Sequence, residues 1–175
     1  MFKLYNLFFA AKYKLYTIAA IILFAVFLIY YSLILYLRIG TDVQVHANMA
    51  YIFFNADGYI SPNFLYYFLV ALLAGFSKYK IAYYISAVIL ISGAITFKFI
   101  VNAYYLKKYL QQKTITTVLL AIMLLFIFCL PGINFFKDKN FYLGQLAPNV
   151  WHNSTVIFLA PFSIILFFET INFLN

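Results

Sequence analysis

Long apolar runs separated by short polar stretches dominate this chain. Runs of about 20 residues are predicted to be membrane-crossing helices, because the hydrocarbon core of a bilayer is roughly 30 Å thick. The predicted spans are about 15–37, 81–106, 114–130 and 154–169. The polar stretches 38–80 and 131–153 are predicted to be loops on a shared outer face. The whole chain, 1–175, is therefore interpreted as one all-α integral membrane domain.

The first polar stretch, RIGTDVQVHANMAYIFFNADGYISPN, is predicted to contain a short amphipathic helix. Thr41 or Asp42 is suited to begin this helix, because small polar side chains satisfy the first free N–H groups. Positions on one face are polar (Gln44, Asn48, Tyr51 and Asn55), and those on another are apolar (Val45, Met49, Ile52 and Ala56). Such a helix lies along a membrane surface rather than crossing the membrane.

The next apolar run, 63–76, decides the topology of the remaining chain. Ser61-Pro62 suits a helix start and Gly75 a helix end. The run has 14 residues, about 21 Å of helix at the standard rise, which is shorter than the hydrocarbon core. Both topologies place seven positive charges inside and five outside, so charge does not choose between them. Length favours a juxtamembrane helix that does not cross, and the crossing version remains open.

Composition supports the membrane interpretation. The chain is 67% hydrophobic and 9% charged, which is too apolar for a soluble domain of this size. The net charge of +8 arises from lysines at the ends of apolar runs, so we expect lipid headgroups and not nucleic acid as partners. Lys3, Lys12 and Lys14 precede the first span, which predicts a cytoplasmic N-terminus. The abundance of Phe, Tyr, Ile, Lys and Asn suggests a bacterial source, and the bacterial plasma membrane is the expected location.

The order of these parts resembles the polytopic C-type (GT-C) glycosyltransferases. The first span ends shortly before an acid in RIGTD, an amphipathic loop helix follows, and SPNFLYYFLVALLAGF then supplies a proline-led juxtamembrane helix. The next span ends in Lys107-Lys108, and the one after it ends in Pro131. The stretch YLGQLAPNVWHNST is similar to a motif of bacterial membrane glycosyltransferases of this kind. The resemblance rests on arrangement more than on a stringent motif.

This resemblance implies transfer of a sugar from a polyprenyl-phosphate donor to an extracytoplasmic acceptor. It implies that Asp42 is the catalytic base. From the residues alone, Asp42 is equally suited to capping the loop helix. The common paired acidic motif is absent, since Val43 follows Asp42. Family members usually carry more spans, so we expect the chain to correspond to an N-terminal portion, whose activity by itself is an open question.

Other polar residues of the two loops are candidates for binding the substrate. They are Arg38, His46, Lys78, Gln145, Asn149, His152 and Asn153. His46 follows Asp42 by one helical turn and suits either a hydrogen-bonded pair or a ligand contact. Trp151-His152 is equally typical of interfacial anchoring, and Arg38 and Lys78 of ordinary headgroup contacts. The cofactor is an open question: Asp42 and His46 could share a divalent metal, but two ligands do not make a site, and no other pattern in the sequence indicates one.

Two other classes of function remain open. A polymerase or ligase of surface polysaccharide would share the location and the lipid-linked substrate, but would depend on basic loop residues. A transporter or an assembly subunit would not be an enzyme. Transporters carry polar groups at mid-span, and the predicted spans are nearly devoid of them. The sugar, the acceptor and the oligomeric state are not encoded in any pattern found.

Overall fold

The computed structural model describes residues 14–37, 42–56, 63–126 and 154–174, and regular structure in these ranges is helical throughout. The helices are α1 (Lys14–Tyr36), α2 (Asp42–Asn55), α3 (Phe64–Leu73), α4 (Lys80–Leu110), α5 (Thr114–Phe126) and α6 (Ser154–Leu174). The predicted all-α class is thus confirmed for the described residues. α4 and α6 both extend beyond the predicted spans, because the flanking residues also form helix.

Three helices, α1, α4 and α6, are long and apolar enough to cross a membrane. Of the predicted span 114–130, the structure describes a helix of 13 residues, α5, and residues 127–130 lie outside the described ranges. The outward surfaces of the long helices are strongly apolar. Large exposed side chains include Ile21, Ile29 and Leu33 on α1 and Leu166 and Phe167 on α6. Such surfaces are compatible with a surrounding bilayer.

The centre of the fold is α4, which contacts every other described helix. In the most apolar stretch of α4, 50% of the residues are buried, against 28% in α1 and 17% in α6. Its buried residues include small ones that allow neighbouring helices to approach closely, such as Ser86, Ala87, Ser92 and Ala94. The other helices are therefore arranged around α4.

Contacts along α4 give the direction of its neighbours. Leu35 and Tyr36, at the end of α1, line the same cavity as Ile81 and Tyr84, at the start of α4, so these helices run antiparallel. In α6, Phe162 lies 5.7 Å from Phe97 and Phe168 lies 4.2 Å from Tyr105, measured between ring centroids. Residue numbers increase together in these pairs, so α6 runs parallel to α4. The end of α1 and the start of α4 therefore lie at one end of the bundle, and α6 begins about nine residues further along α4.

Helix α3 lies at this same end and is too short to reach the other. Its 10 residues correspond to about 15 Å of helix. The Phe76 N–H donates to the Ala71 carbonyl (2.9 Å) and the Gly75 N–H to the Leu72 carbonyl (3.1 Å). These paired bonds form a Schellman motif, which requires the left-handed conformation that Gly75 adopts at φ 62°. The chain then turns back into α4, so Gly75 ends the helix as the sequence predicted.

Helix α2 packs through a face that the sequence analysis did not single out. Its buried residues are Val43, His46, Ala47 and Ala50. They form a third face, distinct from the predicted polar and apolar faces. Val45, on the predicted apolar face, is 50% exposed. The two faces were predicted for a helix that contacts only the bilayer. In the structure α2 packs mainly on α4 and α3. Small side chains such as Ala47 permit that close packing.

Cysteine labelling tests the orientation of α4 in a membrane. We expect Lys78→Cys, beside the start of α4, to react with an impermeant thiol reagent from outside the cell. Lys113→Cys, beyond its end, should react only after the membrane is permeabilised. Both changes are made in a Cys129→Ser background. Labelling of both positions from the same side would contradict a crossing α4, and the reversed pattern would contradict the expected cytoplasmic N-terminus.

Candidate functional site

His46 is buried between α2 and α3. Its Nδ1 lies 3.1 Å from the hydroxyl oxygen of Tyr67, at hydrogen-bonding distance. Its ring also contacts the rings of Tyr66 and Tyr67, with centroid distances of 5.9 and 5.8 Å. A buried ring nitrogen without a partner would be costly, so this hydrogen bond stabilises the packing of α2 on α3.

Tyr66 extends this contact to the first turn of α6. Its ring lies 6.0 Å from that of Phe158, and its hydroxyl lies beside that of Ser154. Burial is the main cause that raises the pKa of Tyr66, so its hydroxyl stays protonated. Neither hydroxyl completes a hydrogen bond among the described residues, although both are buried. His46, Tyr66, Tyr67 and Ser154 are called the polar cluster below.

Asp42 is the first residue of α2 and is half-buried. A carboxylate at this position stabilises the helix, because the N-terminus carries a partial positive charge. Asp42 precedes His46 by four residues and therefore lies on the same side of α2, one turn earlier. The geometry is compatible both with a structural role at the helix start and with a chemical role beside the polar cluster.

A large apolar cavity lies between α1 and α4. It has a volume of about 770 Å³. Its lining comprises Leu28, Ser32, Leu35 and Tyr36 of α1, Gln44 of α2, and Ile81, Tyr84, Ile85, Val88 and Ile89 of α4. Several of these side chains, including Tyr36, Ile81 and Ile85, are exposed at the outer surface. The cavity therefore opens on the surface that would face lipid.

The lining of this cavity has few polar groups. They are Ser32, the hydroxyls of Tyr36 and Tyr84, and Gln44, which lies at the α2 end. Gln44 contributes an amide, and the Lys80 ammonium lies 5.7 Å from the centroid of the Tyr84 ring. Gln44 and Asp42 belong to the same helical turn but point to different sides of α2, since each residue rotates by about 100°.

The structure describes three of the residues predicted to form the site. Asp42 and His46 lie together on α2, and Lys78 is exposed in the connection between α3 and α4. The remaining predicted site residues lie outside the described ranges: Arg38, Gln145, Asn149, His152 and Asn153. Asn153 is bonded directly to Ser154, so the second polar stretch joins α6 at the polar cluster. Within the described residues, no group of three or more His, Cys, Asp or Glu side chains could hold a metal ion.

Sequence reasoning missed the tyrosines of the site. Tyr66 and Tyr67 are adjacent in a helix otherwise made of Leu, Val, Ala and Phe, and their hydroxyls need partners when buried. That need was a usable signal, but it does not identify His46 or Ser154 as the neighbours. Tyr83 was missed in the same way. It accepts a hydrogen bond from the Asn55 amide (3.2 Å) and thereby joins the end of α2 to the start of α4.

Comparisons with protein-family models, with curated proteins and with solved structures return no match for this chain. The interpretation of the site therefore rests on its own geometry and on the resemblance described above.

Replacing Tyr67 with Phe tests the contact between α2 and α3. The change leaves His46 Nδ1 without its hydroxyl partner, and we expect a loss of about 1–3 kcal/mol in unfolding free energy, measured as a lower melting temperature in detergent. Tyr79→Phe is the matched control, because Tyr79 is 76% exposed and should change stability by less than about 0.5 kcal/mol. Equal melting temperatures for the two variants would argue against the buried hydrogen bond.

Proposed function

We propose that this protein is a four-span integral membrane protein of the bacterial plasma membrane that acts as a GT-C-like glycosyltransferase. It would move a sugar from a polyprenyl-phosphate donor to an extracytoplasmic acceptor. The observation that carries this proposal is the apolar cavity between α1 and α4, whose polar end lies at the first turn of α2, where Asp42 is found.

The membrane location is supported by the three long apolar helices and by α5. In the proposed arrangement α1, α4, α5 and α6 cross the bilayer, while α2 and α3 lie at the outer end of the bundle. The short connection from α4 to α5 keeps their adjoining ends together, so α5 returns towards the α2 end. The contact between Tyr66 of α3 and Ser154 of α6 supports placing the start of α6 towards that outer end.

The cavity suits the apolar tail of a lipid donor. Its volume of about 770 Å³ falls within the range of roughly 300–1,000 Å³ that is usual for ligand pockets. It would hold only the first part of a long polyprenyl chain. Because exposed residues such as Ile81 and Ile85 line it, the remainder of the chain would extend into the bilayer. A lipid would thus enter sideways from the membrane.

The donor phosphate would lie at the polar end of the cavity. The Lys80 ammonium supplies a positive charge there and Gln44 supplies an amide donor, both of which stabilise a phosphate as it leaves. The sugar would then lie around the start of α2. His46 would keep α2 and α3 in register through its bond to Tyr67.

The reaction would be a single displacement at the anomeric carbon. An acceptor hydroxyl gives its proton to the Asp42 carboxylate while its oxygen forms a bond to that carbon. The bond between the anomeric carbon and the phosphate oxygen breaks at the same time, and the electron pair leaves with the polyprenyl phosphate. Asp42 supplies general-base catalysis in this scheme.

Asp42→Asn separates the catalytic role from the structural one. Asparagine keeps the shape of aspartate and loses only its charge–dipole contribution of about 0.3–1 kcal/mol, so the melting temperature should fall only slightly, whereas a neutral amide cannot accept the proton. We expect sugar transfer to fall by about 10²-fold to 10⁴-fold. The measurement is release of polyprenyl phosphate from a panel of radiolabelled polyprenyl-phosphate sugars, using membranes that contain the full-length protein.

Asp42→Ala is the companion variant, since it removes both the cap and the carboxylate and should lower stability as well as activity. Undiminished transfer by Asp42→Asn would rule out Asp42 as the base. In that case, loss of transfer on replacing basic outer residues would favour a polysaccharide polymerase or ligase.

A further inference from the structure

A second apolar cavity lies beside α4, nearer the middle of that helix, and is called the lower cavity below. It has a volume of about 280 Å³. Residues of α1, α3, α4 and α6 line it, and all of them are aliphatic, aromatic, glycine or proline. An occupant of the lower cavity must therefore be hydrocarbon, because no lining side chain could bind a polar group. The larger cavity between α1 and α4 is called the upper cavity.

The two cavities adjoin at Ile89, which lines both of them. On α4 their lining includes a row of residues spaced by four, which lie on one side of a helix. This row comprises Ile81, Ile85, Ile89, Gly93 and Phe97. On α1, Phe24 of the lower cavity precedes Leu28 of the upper cavity by one turn. The two cavities therefore follow each other along the same pair of helices.

Gly93 leaves α4 without a side chain at the lower cavity. Glycine inside a helix is less stable than alanine by about 0.5–1 kcal/mol, so its presence there needs a reason. Gly93 does not adopt a positive φ. A Cβ added at Gly93 would meet no atom within 4 Å in the part of the chain that the structure describes. Neither the backbone nor a close helix contact requires glycine here, whereas its missing side chain leaves room in the cavity.

The depth of the lower cavity distinguishes a long isoprenoid chain from an acyl chain. Ile89 and Phe97 follow Ile81, where the predicted span begins, by about 12 and 24 Å of helix. Half of the hydrocarbon core is about 15 Å. In the proposed arrangement the lower cavity therefore crosses the middle of the bilayer. Acyl chains of the outer leaflet end near that depth, whereas a long isoprenoid chain continues past it.

We propose that the lower cavity binds the isoprene units that follow those held in the upper cavity, and that Gly93 makes the protein selective for long polyprenyl chains. This inference rests on the proposed polyprenyl-phosphate donor. The chain passes over Ile89 and lies against Gly93. It then leaves for the bilayer, because Leu73 and Phe162 of the lining are exposed at the outer surface. A short chain ends in the upper cavity and makes no contact with Gly93.

Gly93→Leu tests this selectivity by filling part of the lower cavity. The probes are farnesyl phosphate, which is short enough for the upper cavity alone, and undecaprenyl phosphate. Native mass spectrometry of the delipidated full-length protein in detergent gives their dissociation constants. We expect Gly93→Leu to weaken binding of undecaprenyl phosphate about 5-fold to 50-fold, as overpacking does. Binding of farnesyl phosphate should stay within about 2-fold of the wild-type value.

Ala25→Leu is the matched control, because Ala25 is exposed on α1 and lines neither cavity. It should alter neither dissociation constant. Leucine favours a helix more than glycine does, so Gly93→Leu should not melt below the wild-type protein. Unchanged binding of undecaprenyl phosphate by Gly93→Leu, or equal weakening of both probes, would overturn the role of the lower cavity and leave the proposed donor standing. Failure of the wild-type protein to bind either probe would overturn both.

A second measurement needs no variant. Undecaprenyl phosphate with a diazirine in the fourth isoprene unit from the phosphate should label the wild-type protein within 89–97 of α4 or 158–162 of α6, which contain the cavity lining. Unlabelled undecaprenyl phosphate should suppress this labelling, and dioleoyl phosphatidylglycerol at the same concentration should not. Suppression by both lipids would assign the lower cavity to an ordinary acyl chain, and labelling outside these ranges would place the isoprene units elsewhere. Either result would overturn the proposal.

Discussion

The shortness of α3 is the constraint on which the arrangement of this protein depends. A 10-residue helix ended by a Schellman motif at Gly75 cannot carry the chain to the far end of the bundle. The chain therefore leaves α1 and enters α4 at the same end, which holds α2 between them. α2 and α3 then pack on each other at that end, where His46 contacts Tyr66 and Tyr66 contacts Phe158 of α6.

An apolar chain also makes each buried polar contact consequential. Where lipid replaces water, a polar side chain has few alternatives to a partner within the protein. The bond between His46 and Tyr67 and that between Asn55 and Tyr83 join α2 to α3 and to α4. Other buried polar groups, in particular the hydroxyls of Tyr66 and Ser154 and the amide of Asn102, have no hydrogen-bond partner among the described residues.

The sequence predicted the helices better than their contacts. Apolar runs and the breaks between them gave the bounds of the long helices to within a few residues, because length and hydropathy are local properties. Gly75 was recognised for the same reason. The partner of His46 was not, since Tyr67 lies 21 residues away and nothing local states which side of α3 faces α2. The cavity between α1 and α4 was likewise beyond prediction, because it depends on how two distant helices cross.

The structure therefore describes only part of the predicted site. His46 has neighbours that were not foreseen, Tyr66 and Tyr67, and the residues of the second loop, including His152, fall outside the described ranges. The polar cluster nevertheless includes Ser154, which follows that loop directly. The proposed function rests on a cavity that would suit a lipid tail, a cation and an amide at its polar end, and a carboxylate on the same turn of α2 that points to another side of the helix.

The most direct test is photo-crosslinking with a polyprenyl phosphate that carries a diazirine in the isoprene unit next to the phosphate. We expect the label to be found by peptide mapping on α1 and α4, within 28–36 and 80–89, which contain the cavity lining. An excess of unlabelled polyprenyl phosphate should suppress it. Labelling spread over the exposed surface of α6, or labelling that the unlabelled lipid does not reduce, would contradict a specific donor site between α1 and α4.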